Sequence, residues 1–204
     1  MNYQYWQEIS FYLNELDKEK EIFEKSGGVA EVLDTTRQMM STHLENLKTG
    51  LEKMINKHNA SLILFAIVAA VDEKMQSYVY NSTKLRWSPL QKDFYSAYTA
   101  GEVFYKSLDE ILENPETPNI VFQVYYTMLK RGFKGKYQDS KTQIAKYMDM
   151  LKDKIPTQAS LPKIENIPLQ PKKKGRFKKW HFYGIALSSS CLVLSLLYFV
   201  ATYG

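Results

Sequence analysis

The stretch Ser61–Glu73, SLILFAIVAAVDE, is the most apolar segment in the interior of the chain and ends in two acidic residues. Its apolar part, Ser61–Val71, has eleven residues. A helix needs about 20 such residues to cross the ~30 Å hydrocarbon core of a bilayer, so this segment is too short to span one. We therefore interpret it as the central buried helix of a folded domain.

Two interpretations are open for the acidic pair that follows. Adjacent positions on a helix point about 100° apart, so Asp72 and Glu73 do not form the paired carboxylates of a catalytic site. They either cap the exposed end of the apolar helix or face the cations of a partner. The sequence alone favours the cap.

The residues before this stretch have the spacing of two amphipathic helices. One face of the first helix consists of Trp6, Ile9, Leu13 and Leu16, which lie three or four positions apart. The pair Gly27-Gly28 interrupts the pattern, and a long second helix follows. Its stripe consists of Val29, Val32, Thr36, Met40, His43, Leu47, Leu51, Met54 and Ile55, and we interpret His43 as a histidine at the edge of the core.

Three further helices are predicted after the central one. Pro89 suits the first position of a helix that carries Phe94, Tyr95 and Tyr98. Gly101 opens the next helix, whose inward face consists of Phe104, Leu108, Ile111 and Leu112. After the loop Asn114–Pro118, another helix turns inward Val121, Val124, Tyr125 and Met128.

The basic, glycine-containing stretch Lys130–Tyr137, KRGFKGKY, is interpreted as a helix end followed by a turn. Gly132 suits a left-handed residue just past the helix, with Phe133 folded back on Met128 in a Schellman cap. Gly135 allows a second turn. On this interpretation the glycines serve the backbone and do not bind a ligand.

The last helix of the domain is predicted directly after this turn. Ser140 and Gln143 fit a capping box, and the apolar stripe consists of Ile144, Tyr147, Met148 and Leu151. The chain has only nine glycines and seven prolines in 204 residues, which favours helices over a loop-rich all-β fold. The predicted fold class is all-α.

No motif in the sequence points to nucleic-acid binding, catalysis or a cofactor. A phosphate loop needs glycines before a Lys-Ser or Lys-Thr at a helix start, and the RNA-recognition signature must lie on a strand. The three histidines, His43, His58 and His181, lack metal-type spacing to each other or to Cys191. The residues by themselves leave two classes open: a membrane-tethered scaffold, and an enzyme whose site escapes motif analysis.

The positive charge of the chain is concentrated in one cluster at residues 172–179. The cluster consists of Lys172, Lys173, Lys174, Arg176, Lys178 and Lys179, and no acidic residue follows residue 171. Removing these six charges from the net charge of +5 leaves −1 for residues 1–171. The folded part is therefore near neutral, which argues against a nucleic-acid partner.

The segment that follows the cluster, Trp180–Gly204, contains no Asp, Glu, Lys or Arg and predicts a transmembrane helix at residues 180–203. Interfacial aromatic residues lie toward both ends: Trp180, Phe182, Tyr183, Tyr198 and Tyr203. The cations before the span predict that this side stays in the cytoplasm. The first twenty residues do not read as a cleavable signal peptide. We expect a tail-anchored protein with a cytosolic N-terminal domain.

Small residues recur on one face of the predicted span: Gly184, Ser188, Cys191 and Ser195. Such a face lets membrane helices approach closely. It indicates either a homodimer or partner helix packed there, or a serine-rich helix that faces lipid. Cys191 is the only cysteine, so no intrachain disulfide is expected.

These observations divide the chain into four parts. Residues 1–154 form the helical domain, 155–171 a linker, 172–179 the basic cluster and 180–203 the membrane helix. The linker contains Pro156, Pro162, Pro168 and Pro171, which is typical of a semi-extended tether.

The order and spacing of several motifs resemble the DotU/TssL (IcmH) family of type VI and type IVB secretion systems. The motifs are VDE at Val71–Glu73, Trp87 before a helix, AGEVFYKSLDEIL at Ala100–Leu112, and VYYTMLKRGFKGKY at Val124–Tyr137. The resemblance covers roughly residues 60–150 and the C-terminal anchor. The chain departs from the family pattern at Gln138, where a basic residue is usual.

The resemblance implies a cytoplasmic all-α domain of two small bundles, hook-like, held in the bacterial inner membrane by one C-terminal transmembrane helix. It implies a structural, non-enzymatic role beside an IcmF/TssM-like protein, with TssK-like and TssE-like baseplate components docking on the cytoplasmic face. Membrane lipid is a further contact, and neither a cofactor nor a nucleic acid is implied. The alternatives are a type IVB stabilising factor and an unrelated tail-anchored adaptor at the membrane surface.

The resemblance also assigns roles to particular residues. As partner contacts it favours Asp72 and Glu73 and adds Glu102 as a candidate. The remaining shared positions are expected to shape the domain rather than touch a partner: Trp87, Gly101, Phe104, Gly132, Phe133, Gly135 and Tyr137.

Overall fold

A computed structural model of the chain describes residues 2–95 and 100–156. These residues belong to one compact unit, Met1–Pro162. Every regular element among them is a helix, so the predicted all-α class is confirmed for this part. The predicted membrane helix, the basic cluster and nearly all of the linker lie outside the described residues. None of the described helices is both long and apolar enough to cross a membrane.

Seven α-helices and one 3-10 helix make up the described part of the chain. The α-helices are α1 (Asn2–Lys25), α2 (Ala30–Met54), α3 (Lys57–Ser82), α4 (Gln91–Tyr95), α5 (Ala100–Glu113), α6 (Asn119–Lys130) and α7 (Lys141–Lys154). The 3-10 helix, Gly135–Tyr137, lies between α6 and α7.

The first two helices pack against each other as a hairpin. Gly27 and Gly28 connect them with φ angles of 71° and 85°, which glycine adopts without strain. The inward face of α1 is buried at Ile9, Leu13, Leu16 and Phe23. The buried stripe of α2 is rotated slightly from the predicted one and consists of Leu33, Thr36, Met40, Leu44, Leu47 and Leu51.

The central helix is longer than predicted. α3 continues to Ser82, nine residues past Glu73, so Asp72 and Glu73 lie in its middle and the predicted cap at its end is wrong. The helix starts after Asn56, whose side-chain oxygen accepts the Asn59 N–H at 2.8 Å. Neighbouring helices contact α3 on several sides, namely α2, α4, α5 and α6, and this allows apolar residues around most of its circumference.

The inward faces of α5 and α6 are confirmed. The predicted positions Phe104, Leu108, Ile111, Leu112, Val121, Val124, Tyr125 and Met128 are all buried. Pro118, with φ −64° and ψ 141°, directly precedes α6 and ends the loop Asn114–Pro118. The last helix, α7, packs on α6 and buries Leu151 completely.

The turn after α6 is a Schellman motif, as the sequence predicts. Gly132 has a φ of 98°. Its N–H donates to the Leu129 carbonyl at 3.0 Å, and the Phe133 N–H donates to the Met128 carbonyl at 3.1 Å. These are the two hydrogen bonds that define the motif.

Two predicted helix starts differ from the structure. Pro89 lies two positions before α4 rather than inside it. Ser140 directly precedes α7, but its side chain makes no capping hydrogen bond, so the predicted box with Gln143 is wrong. The reason is local: the Ser140 N–H donates to the Tyr137 carbonyl at 3.0 Å, which extends the preceding 3-10 turn and leaves Ser140 outside the usual capping conformation.

The buried side chains of the described residues form one hydrophobic core. α3 packs with α2 on one side and with α5 and α6 on another, so both halves of the domain share it. The division into two small bundles and the hook-like outline both stay predictions.

We expect Gly132→Val to destabilise the domain by about 1–3 kcal/mol, because a β-branched residue is strained at a left-handed φ. A Cβ atom on Gly132 meets nothing within 4 Å, so the cost comes from the backbone and not from a clash. Thermal unfolding of the full-length chain in detergent, followed by circular dichroism, measures the change. Gly132→Asn should lose less, since Asn tolerates this conformation. Equal melting of wild type and Gly132→Val would contradict the cap.

Candidate functional site

The buried member of the acidic pair on α3 holds the loop before α4. Asp72 is only 2% exposed. Its Oδ1 accepts the indole N–H of Trp87 at 2.8 Å and the Leu90 N–H at 2.7 Å, and its Oδ2 accepts the Gln91 N–H at 2.8 Å. The carboxylate therefore fixes the first residue of α4, and the loop that leads to it, against α3.

Opposing effects set the charge state of this carboxyl group. Burial raises the pKa of Asp72 above its ordinary value, while the three N–H donors and the Arg37 guanidinium favour the ionised form. Arg37 holds the same loop from α2, since it donates to the Ser88 carbonyl at 2.8 Å and to Asp93 at 2.7 Å. The loop is thus tied to two helices.

One side chain carries this arrangement from α4 to α5. Gln91 is buried, and its Oε1 accepts the Ala100 N–H at 3.2 Å. Asp72 fixes the backbone of Gln91, and the Gln91 side chain in turn fixes the first residue of α5. Nothing in the sequence points to Gln91, because no motif or periodicity distinguishes it.

The second member of the acidic pair holds the KRGFKGKY turn. Glu73 is half-buried, and its two oxygens accept the N–H groups of Lys134 at 2.8 Å and Gly135 at 2.6 Å. Hydrogen bonds to an ionised acceptor are among the stronger ones in proteins. The backbone amides in this turn therefore bind a carboxylate of their own chain.

A close backbone contact between α5 and the 3-10 helix requires glycine on both sides. A Cβ atom on Gly101 would lie 3.0 Å from the Gly135 Cα and 3.1 Å from the Lys136 nitrogen. A Cβ atom on Gly135 would lie 3.0 Å from the Gly101 carbonyl oxygen, and Gly135 also has a φ of 53°. The two glycines thus serve a single contact.

Aromatic side chains surround this glycine contact. The ring centroids of Phe104 and Phe133 are 4.4 Å apart, and those of Tyr105 and Tyr137 are 4.6 Å apart. The Tyr105 hydroxyl donates to the Lys134 carbonyl at 3.0 Å. Burial and the Glu73 carboxylate raise the pKa of Tyr105, so the hydroxyl stays protonated and able to donate.

These contacts close into a ring that begins and ends on α3. We call it the α3 carboxylate ring, and it consists of Asp72, Gln91, Ala100, Gly101, Gly135 and Glu73. It joins α3, α4, α5 and the 3-10 helix. Motifs that lie far apart in the sequence therefore meet in one structural unit.

The ring bears on the predicted partner contacts. Asp72 is buried with both oxygens engaged, so its position contradicts direct contact with a partner. Glu73 uses both oxygens on backbone amides of its own chain. Glu102 is exposed on α5 and stays a predicted contact.

Other predicted site residues divide into two sets. Trp87 is buried against Asp72, and the remaining shared aromatic and glycine positions lie in or beside the ring or in the cap after α6. The small-residue face (Gly184, Ser188, Cys191, Ser195) and the cations of the cluster at 172–179 lie outside the described residues. Both of these stay predictions.

A trough of about 870 Å³ lies beside the ring, between α1, α3 and the turn after α6. Its long wall is one face of α3, formed by Ala70, Val71, Lys74, Ser77, Tyr78 and Asn81. These positions cover about three helical turns, or ~16 Å. The facing walls include Asp17 and Lys20 on α1, and Arg131 and Lys134 in the turn.

A cluster of three charged residues ties α1 across the trough. Asp17 accepts hydrogen bonds from Lys74 at 3.1 Å and from the Arg131 guanidinium. Burial tends to raise the pKa of Asp17, but the two cations outweigh it and hold the pKa below its ordinary value. The side chains of Asp17, Lys74 and Arg131 are 41%, 47% and 36% exposed, so these ion pairs are weak.

The ring and the trough differ in what they can do chemically. The polar groups of the ring are hydrogen-bonded within the domain, whereas Lys74, Arg131 and Lys134 in the trough have exposed side chains. The residues that the structure describes contain no group of three or more His, Cys, Asp or Glu side chains placed to hold a metal ion. Of the two, the trough is the feature suited to binding another molecule.

Comparisons with known proteins agree on one family. The family model described as type VI secretion system protein DotU matches residues 24–204. The structure is similar to DotU from Francisella novicida, with a TM-score of 0.65 and 25% sequence identity, covering 72% of this chain and 97% of that chain. No curated protein matches the chain.

A second solved structure shows the same fold. This is SciP/TssL from Escherichia coli Enteroaggregative 042, with a TM-score of 0.53 and 18% sequence identity, covering 74% of this chain and 98% of that chain. At this identity the likeness concerns the fold alone.

We expect Gly101→Ala to destabilise the domain by about 1–3 kcal/mol, because the added methyl group meets only backbone atoms of Gly135 and Lys136. Gly50→Ala is the matched control, since Gly50 also lies inside a helix and its Cβ would meet only the flexible Glu8 side chain. That variant should be neutral or slightly stabilising. Chemical denaturation of both full-length variants gives the comparison, and equal effects would argue against a tight contact at Gly101.

We expect Asp72→Ala to cost at least ~3 kcal/mol, because it leaves three N–H donors without an acceptor in a buried site. Glu102→Ala, on the exposed face of α5, should change stability by less than ~0.5 kcal/mol. Thermal melting of the full-length variants distinguishes them. If Asp72→Ala melted at the same temperature as wild type, Asp72 would have no structural role. Contact with a partner would then be the better explanation of this residue.

Proposed function

Because the chain belongs to the DotU family of type VI secretion system proteins, we propose that it is a structural, non-enzymatic component of the membrane complex of such a system. The match to this family over residues 24–204 is the observation that carries the proposal. The geometry supports it, since the most distinctive residues, those of the α3 carboxylate ring, are used to hold helices together.

The proposed location is the bacterial inner membrane, with the helical domain in the cytoplasm. An uncharged apolar segment at residues 180–203 supports a single membrane helix. The cluster of six cations just before it, residues 172–179, supports a cytoplasmic N-terminal side. The proline-rich linker at 155–171 would let the domain stand away from the lipid surface.

The proposed partners are an IcmF/TssM-like membrane protein and, on the cytoplasmic face, baseplate components of the TssK-like and TssE-like kinds. A structural component of this kind needs a rigid body and an accessible surface. The hydrogen-bonded α3 carboxylate ring supports the first. The open trough with its exposed cations provides the second.

Deletion with complementation tests this role. We expect secretion to stop in the deletion strain and to return with the full-length chain or with its Gly50→Ala variant. The tagged chain, extracted from membranes in detergent, should co-purify with a large IcmF-like protein. Normal secretion without the chain, together with repeated purifications that contain no secretion component, would exclude the proposed role.

A further inference from the structure

We propose that the trough binds an acidic, amphipathic helix of a partner protein, and that Asp17 occupies the place of a partner carboxylate until that helix arrives. The inference rests on the proposed function and specifies the chemistry of one docking partner. It follows from the shape of the trough, from its charges and from the position of Asp17.

The shape of the trough fits a helix. Its long wall is a straight face of α3 about three turns long, and two residues on this face, Ala70 and Ser77, are small enough to allow close approach. A volume of about 870 Å³ corresponds to about two turns of a helix ~10 Å wide. Helices that lie in grooves are a recurring mode of recognition between proteins.

Apolar and aromatic groups on the same wall provide anchoring positions. Val71 and Tyr78 are half-buried, and Tyr80 at the rim is 83% exposed. Tyrosine and arginine are enriched among the residues that dominate binding energy at interfaces. Tyr80 and Arg131 both line the trough, so it contains both kinds of anchor.

The charges around the trough select for an acidic occupant. Lys20 is paired with Glu24 on its own helix, so the cations that count are Lys74, Arg131 and Lys134, and the acidic residues are Asp17 and Glu73. The Glu73 carboxylate is engaged by two backbone amides, and Asp17 is shared between Lys74 and Arg131. The balance is positive, so a helix with carboxylates at its flanks is electrostatically complementary.

Two occupants from the chain itself fit less well. Residues 157–204 carry seven Lys or Arg and one Glu, which is the wrong sign for a positive trough. A second copy could offer the exposed face of α5, but that face consists of Glu102, Lys106, Asp109, Glu110 and Glu113 and has no apolar side chain to pack on Val71 and Tyr78. A separate acidic helix satisfies both requirements.

The role of Asp17 follows from its ion pairs. It supplies from α1 the carboxylate that Lys74 and Arg131 bind in the free chain. Because all three side chains are partly exposed, the pairs are weak enough for another carboxylate to replace them. A partner helix would then take over both cations, and Asp17 would turn to solvent.

The test uses the full-length chain in nanodiscs of zwitterionic lipid and two labelled helical peptides of about 18 residues. The peptides share one Ala/Leu face and carry either Glu or Lys at the remaining positions. Fluorescence anisotropy at low salt should show the Glu peptide binding at least about fivefold tighter than the Lys peptide. Empty nanodiscs provide the background for binding to lipid.

Variants of the trough test the assignment of residues. Arg131→Gln combined with Lys74→Gln should reduce the preference to the part that the cations at 172–179 provide, whereas Lys152→Gln, an exposed cation on α7 outside the trough, should preserve it. Asp17→Asn should tighten the Glu peptide by about fivefold, because it removes the competing carboxylate. Glu15→Gln on the same helix is its control and should have no effect. Melting of each variant shows whether it is folded.

Several results would overturn the proposal. The first is equal affinity for the two peptides. The second is an unchanged affinity for the Glu peptide in folded Asp17→Asn. The third is a loss of the preference for the Glu peptide in Lys152→Gln as large as the loss in the double variant. Light scattering on the same samples tests whether a second copy of the chain occupies the trough. If Asp17→Asn caused dimerisation while neither peptide bound, the occupant would be another copy and not a partner helix. None of these outcomes affects co-purification with the membrane complex, so the two proposals fail separately.

Discussion

A carboxylate held inside the domain by three N–H groups is the interaction on which the rest of the described structure depends. A buried charge is costly unless it is fully hydrogen-bonded. Asp72 therefore favours the arrangement in which Trp87, Leu90 and Gln91 surround it. Any arrangement that placed α4 elsewhere would leave this carboxylate without hydrogen-bond donors. The need of the buried carboxylate for donors therefore selects one position for the loop. The hydrophobic effect alone could not make that selection, because it is non-directional.

The neighbouring carboxylate extends the same constraint in a second direction. Because adjacent helix positions point about 100° apart, one turn of α3 organises two segments that are distant in sequence. Asp72 fixes the start of α4, and Glu73 fixes the turn at Lys134 and Gly135. The contact between Gly101 and Gly135 then closes the circuit, since interiors are close-packed and a single methyl group would separate the two backbones.

Local features of the fold could be predicted from the sequence, and long-range ones could not. The helix faces and the Schellman turn at Gly132 depend on neighbours within a few residues, and both agree with the structure. The end of α3 was mispredicted because two acidic residues after an apolar run look the same whether they are exposed or buried among donors. The role of Asp17 could not be predicted, because its partner Arg131 is 114 positions away in the sequence. The role of Gln91 could not be predicted either, because it depends on where α5 begins.

The α3 carboxylate ring also determines which side of the trough can move when a helix binds. Lys134 lines the trough, and its N–H belongs to the pair of hydrogen bonds that Glu73 accepts. A bound helix that displaced this turn would have to break charge-assisted bonds and disturb the glycine contact behind them. Across from it, Asp17 on α1 meets Lys74 and Arg131 through partly exposed ion pairs, while the rest of α1 is held by its packing on α2, α6 and Tyr78. Binding elements are commonly drawn from the less stable parts of a structure. Adjustment to an occupant therefore falls on the Asp17 side chain and its two ion pairs, while α3 and the turn keep the geometry that the two carboxylates impose.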